Sequence, residues 1–263
     1  MERILILGCS GFLGAHLFEH FSRHTVTYGT FATRDPLWNE AATVQLLAYP
    51  SQTDHFLASI LTFKPTVVFY CLDHPDPDVS VGTLRHFINV GLADLLAQSL
   101  EPLGVRMFYF STSEVFSGKA ALYGEEDSVE PATAFGDLKM RAEEILRNYP
   151  NVVLFRLPRV VGLSRCLPRF YQVIPEGMHS CLNGSDLGPF FSLCIRSSCQ
   201  HALYHLAGPT LKPAAYFLKQ AHGEPHSEAA DRFKNFSLQA TRAEHEFGLN
   251  FEKLKEDNVT ESV

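Results

Sequence analysis

Three glycines near the start of the chain have the spacing of a phosphate-binding turn. Gly8, Gly11 and Gly14 lie in ILILGCSGFLGAHL, between a strand-length apolar run and a helix-forming run. One glycine permits a tight turn, one lets the backbone approach a pyrophosphate, and one lets the helix pack against the sheet. Backbone N–H groups and the helix dipole then attract the phosphates. The side chains that share this predicted nucleotide site are Ser10, Phe12 and Leu13.

The second predicted strand ends without the carboxylate that NAD sites usually carry. In TVTYGTFATR no acidic residue precedes Arg34, and Asp35 follows it. A carboxylate here would bind the ribose 2′-hydroxyl of NAD, whereas an arginine suits the 2′-phosphate of NADP. We therefore expect Arg34 to bind the cofactor and NADP to be preferred over NAD. The alternative is that Arg34 is a solvated loop residue.

The elements that must position these residues alternate along the chain. Strands are predicted at 3–7, 25–31, 67–72, 105–111 and 152–157, and helices at 11–22, 53–63, 81–100 and 134–148. This alternation predicts an α/β fold, a Rossmann-type doubly wound parallel sheet with helices on both faces. The pattern weakens after about Val161. We therefore predict an NADP-binding domain over 1–160 and a small substrate- or partner-binding lobe over 161–263.

Composition and charge exclude several classes of partner. The 263 residues are 46% hydrophobic and 19% charged, which favours a packed globule over a disordered chain. The net charge of −7 and the lack of a basic stripe disfavour nucleic acid. No apolar run reaches membrane-spanning length, no signal-peptide cleavage site follows the first strand, and the six cysteines are scattered. We expect a cytoplasmic protein that binds neither nucleic acid nor membrane.

Some spacings that could indicate a site have simpler explanations. The histidines and cysteines with metal-like spacing are His16, His20 and His24, and Cys194, Cys199, His201 and His205. The first set fits an exposed helix face and the second matches no common zinc module, so no metal site is predicted. Cys71 lies at the end of the apolar run 67–72, near the expected path of the cofactor, although a small buried hydrophobe is the ordinary alternative. The acidic stretch from Glu125 to Glu130 is expected to be a solvated turn.

Several motifs together resemble the extended short-chain dehydrogenase/reductase family, of the dTDP-4-dehydrorhamnose reductase type. The spacing G-x-x-G-x-x-G is that of the family, INVGLADLLAQS with Asn89 is similar to its N-x-x-G-x-x-x-L helix, and FSTSEVFSG is similar to its STDYVFDG strand end. YGEEDSVEPATAFGDLK follows Y-x-E-x-D-x-x-x-P-x-x-x-Y-G-x-x-K without a gap, with Phe135 in the place of the second tyrosine. RLPRVVG, ALYHLAGP and FSLQATRAEHEFGL are similar to later elements, so the resemblance extends from Met1 to about Asn258.

The resemblance implies a Thr or Ser, a Tyr and a Lys that share one reaction. It assigns Thr112 to the hydrogen bond with the substrate and Lys139 to the nicotinamide ribose. Phe135 occupies the position of the tyrosine that moves the proton, and it has no hydroxyl group. The candidates for another proton source are Glu114, Ser113, Tyr123 or a water molecule. Glu114 would need a pKa raised by burial to serve as an acid.

The C-terminal part should hold the substrate, which the resemblance implies is a nucleotide sugar. Arg165 and Arg169 could bind a diphosphate through bidentate hydrogen bonds, or they could lie on a solvated helix face. GSDLGPFF is similar to the Q-x-x-x-P-T loop of the family, with Phe190 where threonine is usual.

Two functions remain compatible with these residues. General acid–base help is worth about 10²–10⁴-fold in rate, so its loss weakens an enzyme without abolishing hydride transfer. We expect an NADP-dependent carbonyl/alcohol oxidoreductase of the nucleotide-sugar-modifying type with an altered proton relay. The alternative is a non-catalytic NADP-binding regulatory or scaffolding protein on the same fold, which would bind a protein partner. The resemblance also implies a homodimer through helices 81–100 and 134–148.

Overall fold

The computed structural model describes residues 2–31, 43–45, 53–74, 78–161, 178–208, 211–213 and 235–248. Arg34, on which the preference for NADP depends, lies outside the described residues. So do Arg165 and Arg169, the candidates for binding a substrate diphosphate. The predicted roles of these three arginines therefore stay predictions.

Strands and helices alternate along the first part of the chain, as the apolar runs predict. The elements in order are β1 (Arg3–Leu7), α1 (Phe12–Phe21), β2 (Val26–Phe31), β3 (Thr43–Gln45), α2 (Thr53–Phe63) and β4 (Val67–Tyr70). Next come α3 (Leu84–His86), a π-helical turn (Phe87–Gly91), α4 (Leu92–Leu100), a 3₁₀ turn (Glu101–Leu103), β5 (Arg106–Thr112), a 3₁₀ turn (Ser113–Val115), α5 (Ala134–Leu146), β6 (Val152–Leu157) and β7 (Arg159–Val161). The later elements are β8 (Met178–Asn183), α6 (Gly184–Arg196), β9 (Leu203–His205), β10 (Leu211–Pro213), β11 (Asn235–Phe236) and α7 (Thr241–Phe247).

The main sheet has the strand order β3-β2-β1-β4-β5-β6-β9. The pairs β1–β2, β1–β4, β2–β3 and β4–β5 are parallel, with Ile4 opposite Thr27 on one side and Val67 on the other. This order confirms the predicted Rossmann-type doubly wound sheet. The order reverses between β1 and β4, so a crevice is expected beyond the carboxyl ends of these two strands, where such sheets bind their ligands.

Strands β1, β4 and β6 are buried along almost their whole length, which explains their nearly continuous apolar sequences. All four residues of β4 are buried, and the ring of Phe69 packs 5.3 Å from Phe21 of α1 and 5.2 Å from Phe108 of β5. Helix α1 contributes Leu17 and Phe18 to the same core. The packing holds the start of α1 at the carboxyl end of β1.

Two compact units divide the chain, and each is made of several segments. One contains Met1–Phe110, Arg141–Leu154 and Leu163–Pro168, and the other contains Ser111–Met140, Phe155–Gly162 and Arg169–Val263. The second unit includes a small sheet in which β8 pairs with β7 and β11 in parallel and with β10 in antiparallel orientation. The predicted boundary near residue 160 stays a prediction. Within the described ranges, no helix is both long and apolar enough to cross a membrane.

The stretch GSDLGPFF lies in helix α6, so the loop expected from the resemblance is wrong for this chain. The side chain of Asn183 accepts a hydrogen bond from the Ser185 N–H and caps the helix. Pro189 lies inside the helix and has no backbone N–H to donate. Phe190 and Phe191 are buried, and their rings lie 5.9 and 4.9 Å from that of Phe155. Apolar burial therefore favours the helix over the loop.

Glu125 is buried, so the prediction of a solvated turn over 125–130 is wrong at its first residue. The Glu125 carboxylate accepts hydrogen bonds from the backbone N–H groups of His205, at 3.2 Å, and Arg242, at 3.3 Å. Glu126 and Asp127 are exposed, as predicted. The carboxylate joins two segments that are distant in sequence, which a local pattern cannot reveal.

A buried imidazole lies beside a buried guanidinium in the same unit. His205 Nδ1 is 3.1 Å from the carbonyl oxygen of Tyr123, and its Nε2 is 3.3 Å from Arg156 Nη1. Burial and then the charge of Arg156 lower the pKa of His205 to about 3. The neutral ring therefore donates from Nδ1 to Tyr123 and accepts at Nε2 from Arg156.

The free energy of unfolding should fall on acidification because of His205. Its pKa is lower in the folded state than the usual 6.5, so its contribution is complete above pH 6.5 and is lost as the pH falls towards 3. The expected loss is about 2 kcal/mol between pH 7 and pH 5. Urea unfolding at both pH values should show a smaller loss for His205→Gln, whereas the exposed His24→Gln should behave like the native protein. An equal loss for His205→Gln would contradict this assignment.

Candidate functional site

The predicted site residues fall into two groups, one in each compact unit. Gly8, Ser10, Gly11, Phe12, Leu13, Gly14 and Cys71 belong to the unit that contains β1 and β4. Thr112, Glu114, Phe135 and Lys139 belong to the other unit.

The glycine turn connects β1 to α1 in the way that the sequence predicts. Gly8 has a φ of +84°, a left-handed conformation that side chains rarely adopt, and its N–H donates to the carbonyl of Thr30 at 3.1 Å. The Gly11 N–H donates back to the Gly8 carbonyl at 3.0 Å. These bonds fix the turn at the carboxyl ends of β1 and β2.

Helix α1 packs so tightly on the turn that its third residue must be glycine. A Cβ atom at Gly14 would lie 2.2 Å from the Gly8 carbonyl oxygen and 3.0 Å from the Cα of Cys9. No backbone movement of a few tenths of an ångström relieves such a contact. Gly14 is therefore the position that sets the distance between the helix and the first strand.

The N-terminus of α1 is left available to an anion. Gly11 is the N-cap and has no side chain that could bond the first N–H groups, and no acidic residue lies in the first turn. Gly11 is exposed, and Ser10, Phe12 and Leu13 are half-buried. The first backbone N–H groups and the helix dipole attract an anion, and no nearby carboxylate repels it. These residues therefore fit the pyrophosphate of a dinucleotide.

The end of β4 lies directly against the glycine turn. A Cβ atom at Gly8 would lie 2.9 Å from the carbonyl oxygen of Cys71, which places the two backbones in contact across the switch point. Cys71 is half-buried. The alternative that it is an ordinary buried hydrophobic residue therefore explains its position only in part. Its predicted contact with a cofactor stays a prediction.

In the second unit, Thr112 ends β5 and caps the turn that follows. Its hydroxyl oxygen accepts a hydrogen bond from the Glu114 N–H at 3.3 Å, and the residue is half-buried. A threonine hydroxyl can accept this bond and still donate its own proton. Thr112 therefore keeps the donor that the resemblance assigns to the substrate.

Phe135 and Lys139 lie one helical turn apart at the start of α5. The ammonium nitrogen of Lys139 is 5.6 Å from the centre of the Phe135 ring, within the range of a cation–π contact. Lys139 is 6% exposed. The ring therefore occupies the tyrosine position beside the lysine but offers no proton.

Glu114 is buried and is held by two partners. One carboxylate oxygen accepts from the Arg159 guanidinium, and the other accepts from the Thr133 hydroxyl at 2.7 Å. The exposed fraction of the Glu114 side chain is 1%. Both carboxylate oxygens of Glu114 are therefore engaged as hydrogen-bond acceptors. The role of Glu114 in proton transfer stays a prediction, and its contacts disfavour it.

The same hydrogen bonds position the beginning of α5. Thr133 accepts from the Gly136 N–H at 2.9 Å while it donates to Glu114. A Cβ atom at Gly136 would lie 2.1 Å from the Glu114 carbonyl oxygen. The helix that carries Phe135 and Lys139 is therefore fixed against the turn after β5.

The remaining proton-donor candidates are engaged or buried. The phenol oxygen of Tyr123 accepts from the Ala120 N–H at 2.9 Å, and its ring stacks 4.2 Å from that of Phe116, as the packing interpretation predicts. Ser113 is 2% exposed. Ser111, which directly precedes Thr112, has a buried hydroxyl without a hydrogen-bond partner among the described residues.

Sequence reasoning missed the residues that support the site. Thr133, Arg159 and Gly136 all lie in the quoted motifs but had no assigned role. The threonine before a helix-forming run is a recognisable capping signal, whereas the partnership of Arg159 with Glu114 joins segments 45 residues apart. Within the described ranges, no three His, Cys, Asp or Glu side chains are grouped so as to hold a metal ion.

Comparison with known proteins gives the same fold and one family. The sequence model of the RmlD substrate binding domain matches residues 1–166. The subunit beta of methionine adenosyltransferase 2 from Danio rerio is 27% identical over 189 residues, which are 68% of this chain and 56% of that protein. Its counterpart from Mus musculus is 32% identical over 61% of this chain and 48% of its own length. The chain thus spans about half the length of the curated relatives it matches.

Solved structures of low identity share the architecture. The Bordetella bronchiseptica enzyme WbmG in complex with NAD and UDP has a TM-score of 0.75 at 21% identity, covering 95% of this chain and 88% of that one. At such identities the likeness shows the fold alone. The family match extends over more than half of the chain and agrees with the observed strand order. This chain therefore belongs to the RmlD substrate binding domain family.

Proposed function

We propose that this protein binds a nicotinamide dinucleotide through the turn from Gly8 to Gly14 but does not supply the proton that reduction of a substrate would need. The observation that carries the proposal is Phe135, which keeps the ring beside Lys139 and lacks the hydroxyl. When bound, the dinucleotide would offer a hydride. The chain's own residues would bind and orient it without completing the reaction.

The contacts of the alternative donors support a non-catalytic role. Glu114 is bound by Arg159 and Thr133, and the phenol of Tyr123 is bound by a backbone N–H. Each of these groups has a structural task that explains its presence. A substitution of Tyr by Phe that keeps the packing and removes the polar atom is expected where binding matters and proton transfer does not.

We infer that the bound dinucleotide serves regulation of a protein partner. Two of the relatives are by name subunits of methionine adenosyltransferase 2 rather than free-standing reductases. A subunit on this scaffold can use the dinucleotide to order the surface that its partner contacts. The preference for NADP over NAD rests on Arg34, and the homodimer through helices 81–100 and 134–148 stays a prediction.

A second candidate function is a slow carbonyl/alcohol oxidoreductase that acts on a nucleotide sugar. The observation that favours it is Thr112, whose hydroxyl keeps a proton to donate although its oxygen accepts from Glu114. Lys139 is also retained. Position and orientation alone can contribute to hydride transfer, with the proton supplied by water. The two candidates differ in whether the native protein oxidises NADPH.

The native protein should bind NADPH and leave it unoxidised in the presence of dTDP-4-dehydrorhamnose. Absorbance at the nicotinamide band measures oxidation, and the quenching of protein fluorescence measures binding. Phe135→Tyr restores the missing acid and should introduce oxidation, about 10²-fold or more above the native rate. Phe135→Leu, which adds no hydroxyl, is the matched control and should stay inactive. Turnover by the native protein would reject the non-catalytic proposal in favour of the oxidoreductase.

Gly11→Ala should weaken NADPH binding while the protein stays folded. A Cβ atom at Gly11 meets only the Gly8 carbonyl oxygen, at 3.3 Å, so the fold can adjust to it. The new methyl group would occupy the space that a phosphate needs at the start of α1. We expect the Kd to rise about tenfold or more in a titration. Gly124→Ala, where the nearest atoms lie at 3.9 Å, should bind like the native protein, and an unchanged Kd for Gly11→Ala would argue against this binding site.

Glu114→Gln should lower the free energy of unfolding by about 2–4 kcal/mol. The substitution leaves the Arg159 guanidinium without its buried counter-charge, and the loss of one partner of such a pair is costly. Glu130→Gln removes an exposed partner of Lys119 and should cost less than about 1 kcal/mol. Urea unfolding measures both variants. A stable Glu114→Gln protein would instead leave Glu114 available for a role in chemistry.

A further inference from the structure

A charged cluster lies just beyond β4, in the same unit as the glycine turn. Asp73 accepts two hydrogen bonds from Arg85, from Nε to Oδ1 and from Nη2 to Oδ2, each at 3.1 Å. The Asn89 amide also donates to Asp73 Oδ1, at 2.7 Å. The Arg85 side chain is 5% exposed, whereas that of Asp73 is 33% exposed. Buried groups therefore orient a carboxylate that still reaches the surface.

The π-helical turn at 87–91 places Asn89 in this cluster. Such turns are rare and are frequent at functional sites, because they shift side chains out of the α-helical register. Two buried phenols donate hydrogen bonds to backbone carbonyls of this turn. Tyr70 donates to the carbonyl of Ile88, and Tyr109 donates to that of Asn89 at 3.0 Å. Side chains from β4 and β5 thus stabilise an irregular turn that serves to direct Asn89 towards Asp73.

The cluster also retains a destabilising feature. The Asn89 amide nitrogen donates to both Asp73 and the Arg85 carbonyl, so its Oδ1 faces away from them. Within the described part of the chain, this buried oxygen has no hydrogen-bond partner. A buried acceptor of this kind is usually unfavourable by about 1–3 kcal/mol. Because the unpaired Asn89 oxygen is unfavourable, we attribute this arrangement to a function of Asp73 and not to stability alone.

The position of Asp73 indicates what the task is. Asp73 is two residues beyond Cys71, whose carbonyl contacts Gly8, so it follows the strand on the far side of the switch point from β2. A dinucleotide whose pyrophosphate lies on the glycine turn extends its second nucleoside towards this strand. A fixed carboxylate accepts hydrogen bonds from the hydroxyl groups of a ribose, as the acidic residue of NAD sites does.

We propose that Asp73 binds the ribose hydroxyls of the nicotinamide half of the dinucleotide, and that Arg85 and Asn89 are its positioning residues. This inference rests on the proposed dinucleotide site and adds a contact to it. It also gives a reason why the protein can retain the dinucleotide although Phe135 offers no hydroxyl to the same half of the molecule.

Three ligands separate this role from a purely structural one. NADPH and 2′-phospho-ADP-ribose contain the second ribose, whereas adenosine 2′,5′-bisphosphate does not. Asp73→Asn should raise the Kd of the first two about tenfold or more, the usual value of a hydrogen bond to a charged group, and leave the third unchanged. Asp73→Glu, which keeps the charge but displaces the carboxylate, should give the same pattern and serves if Asp73→Asn does not fold. The exposed Asp54→Asn is the control for the change in charge.

The remaining outcomes overturn the inference in distinguishable ways. Unchanged or tighter binding of NADPH by both Asp73 variants would show that the carboxylate does not contact the ligand. Equal weakening of all three ligands would show that Asp73 only maintains the fold of the crevice. If the native protein binds none of the three ligands, the proposed function itself fails, and this inference fails with it.

Discussion

The contact between Gly14 and the carbonyl of Gly8 is the constraint on which the rest of the structure depends. No other residue fits at position 14, where a Cβ atom would lie 2.2 Å from that oxygen. The close approach brings α1 against β1, and the apolar face of α1 then packs on Phe69 of β4. Because β1 and β4 are neighbours at the reversal of the strand order, the same contact directs the start of α1 into the crevice where Rossmann-type sheets bind ligands. The packing of α1 on the sheet thus depends on one pair of glycines.

The chemistry attributed to the second unit is limited by hydrogen bonds that serve its structure. Glu114 is committed to Arg159 and Thr133, and through Thr133 it fixes the start of α5. The start of α5, where the Lys139 ammonium nitrogen lies 5.6 Å from the centre of the Phe135 ring, is consequently held in place. In the first unit, Arg85 and Asn89 likewise hold the Asp73 carboxylate in one orientation. In both places, buried partners decide what a carboxylate can do.

Local patterns predicted the elements of the fold well because burial on two faces leaves continuous apolar runs, as in β1 and β4. The glycine turn and the register of Phe135 could likewise be read from spacing. The burial of Glu125 could not be predicted from spacing, because its hydrogen-bond partners lie 80 and 117 residues away in the sequence. The pairing of Glu114 with Arg159 could not be predicted for the same reason. The α6 helix was missed because GSDLGPFF was compared with a loop of the family, and the burial of Phe190 and Phe191 that favours the helix cannot be read from that comparison. The π-helical turn could not be predicted from the local sequence, because the hydrogen bonds that stabilise it come from Tyr70 in β4 and Tyr109 in β5.

Hydrogen–deuterium exchange of the native protein with and without NADPH tests the central claim most directly, because it reports where the dinucleotide binds and not only whether it does. If NADPH binds at the proposed site, it should slow exchange in peptides that contain the turn from Gly8 to Gly14 and in peptides from the segment between Cys71 and Gly91. Peptides of α2, which lies outside the proposed contacts, should exchange unchanged. If a large excess of NADPH leaves the exchange of the glycine turn unaltered, the dinucleotide does not bind there, and the proposed function is contradicted.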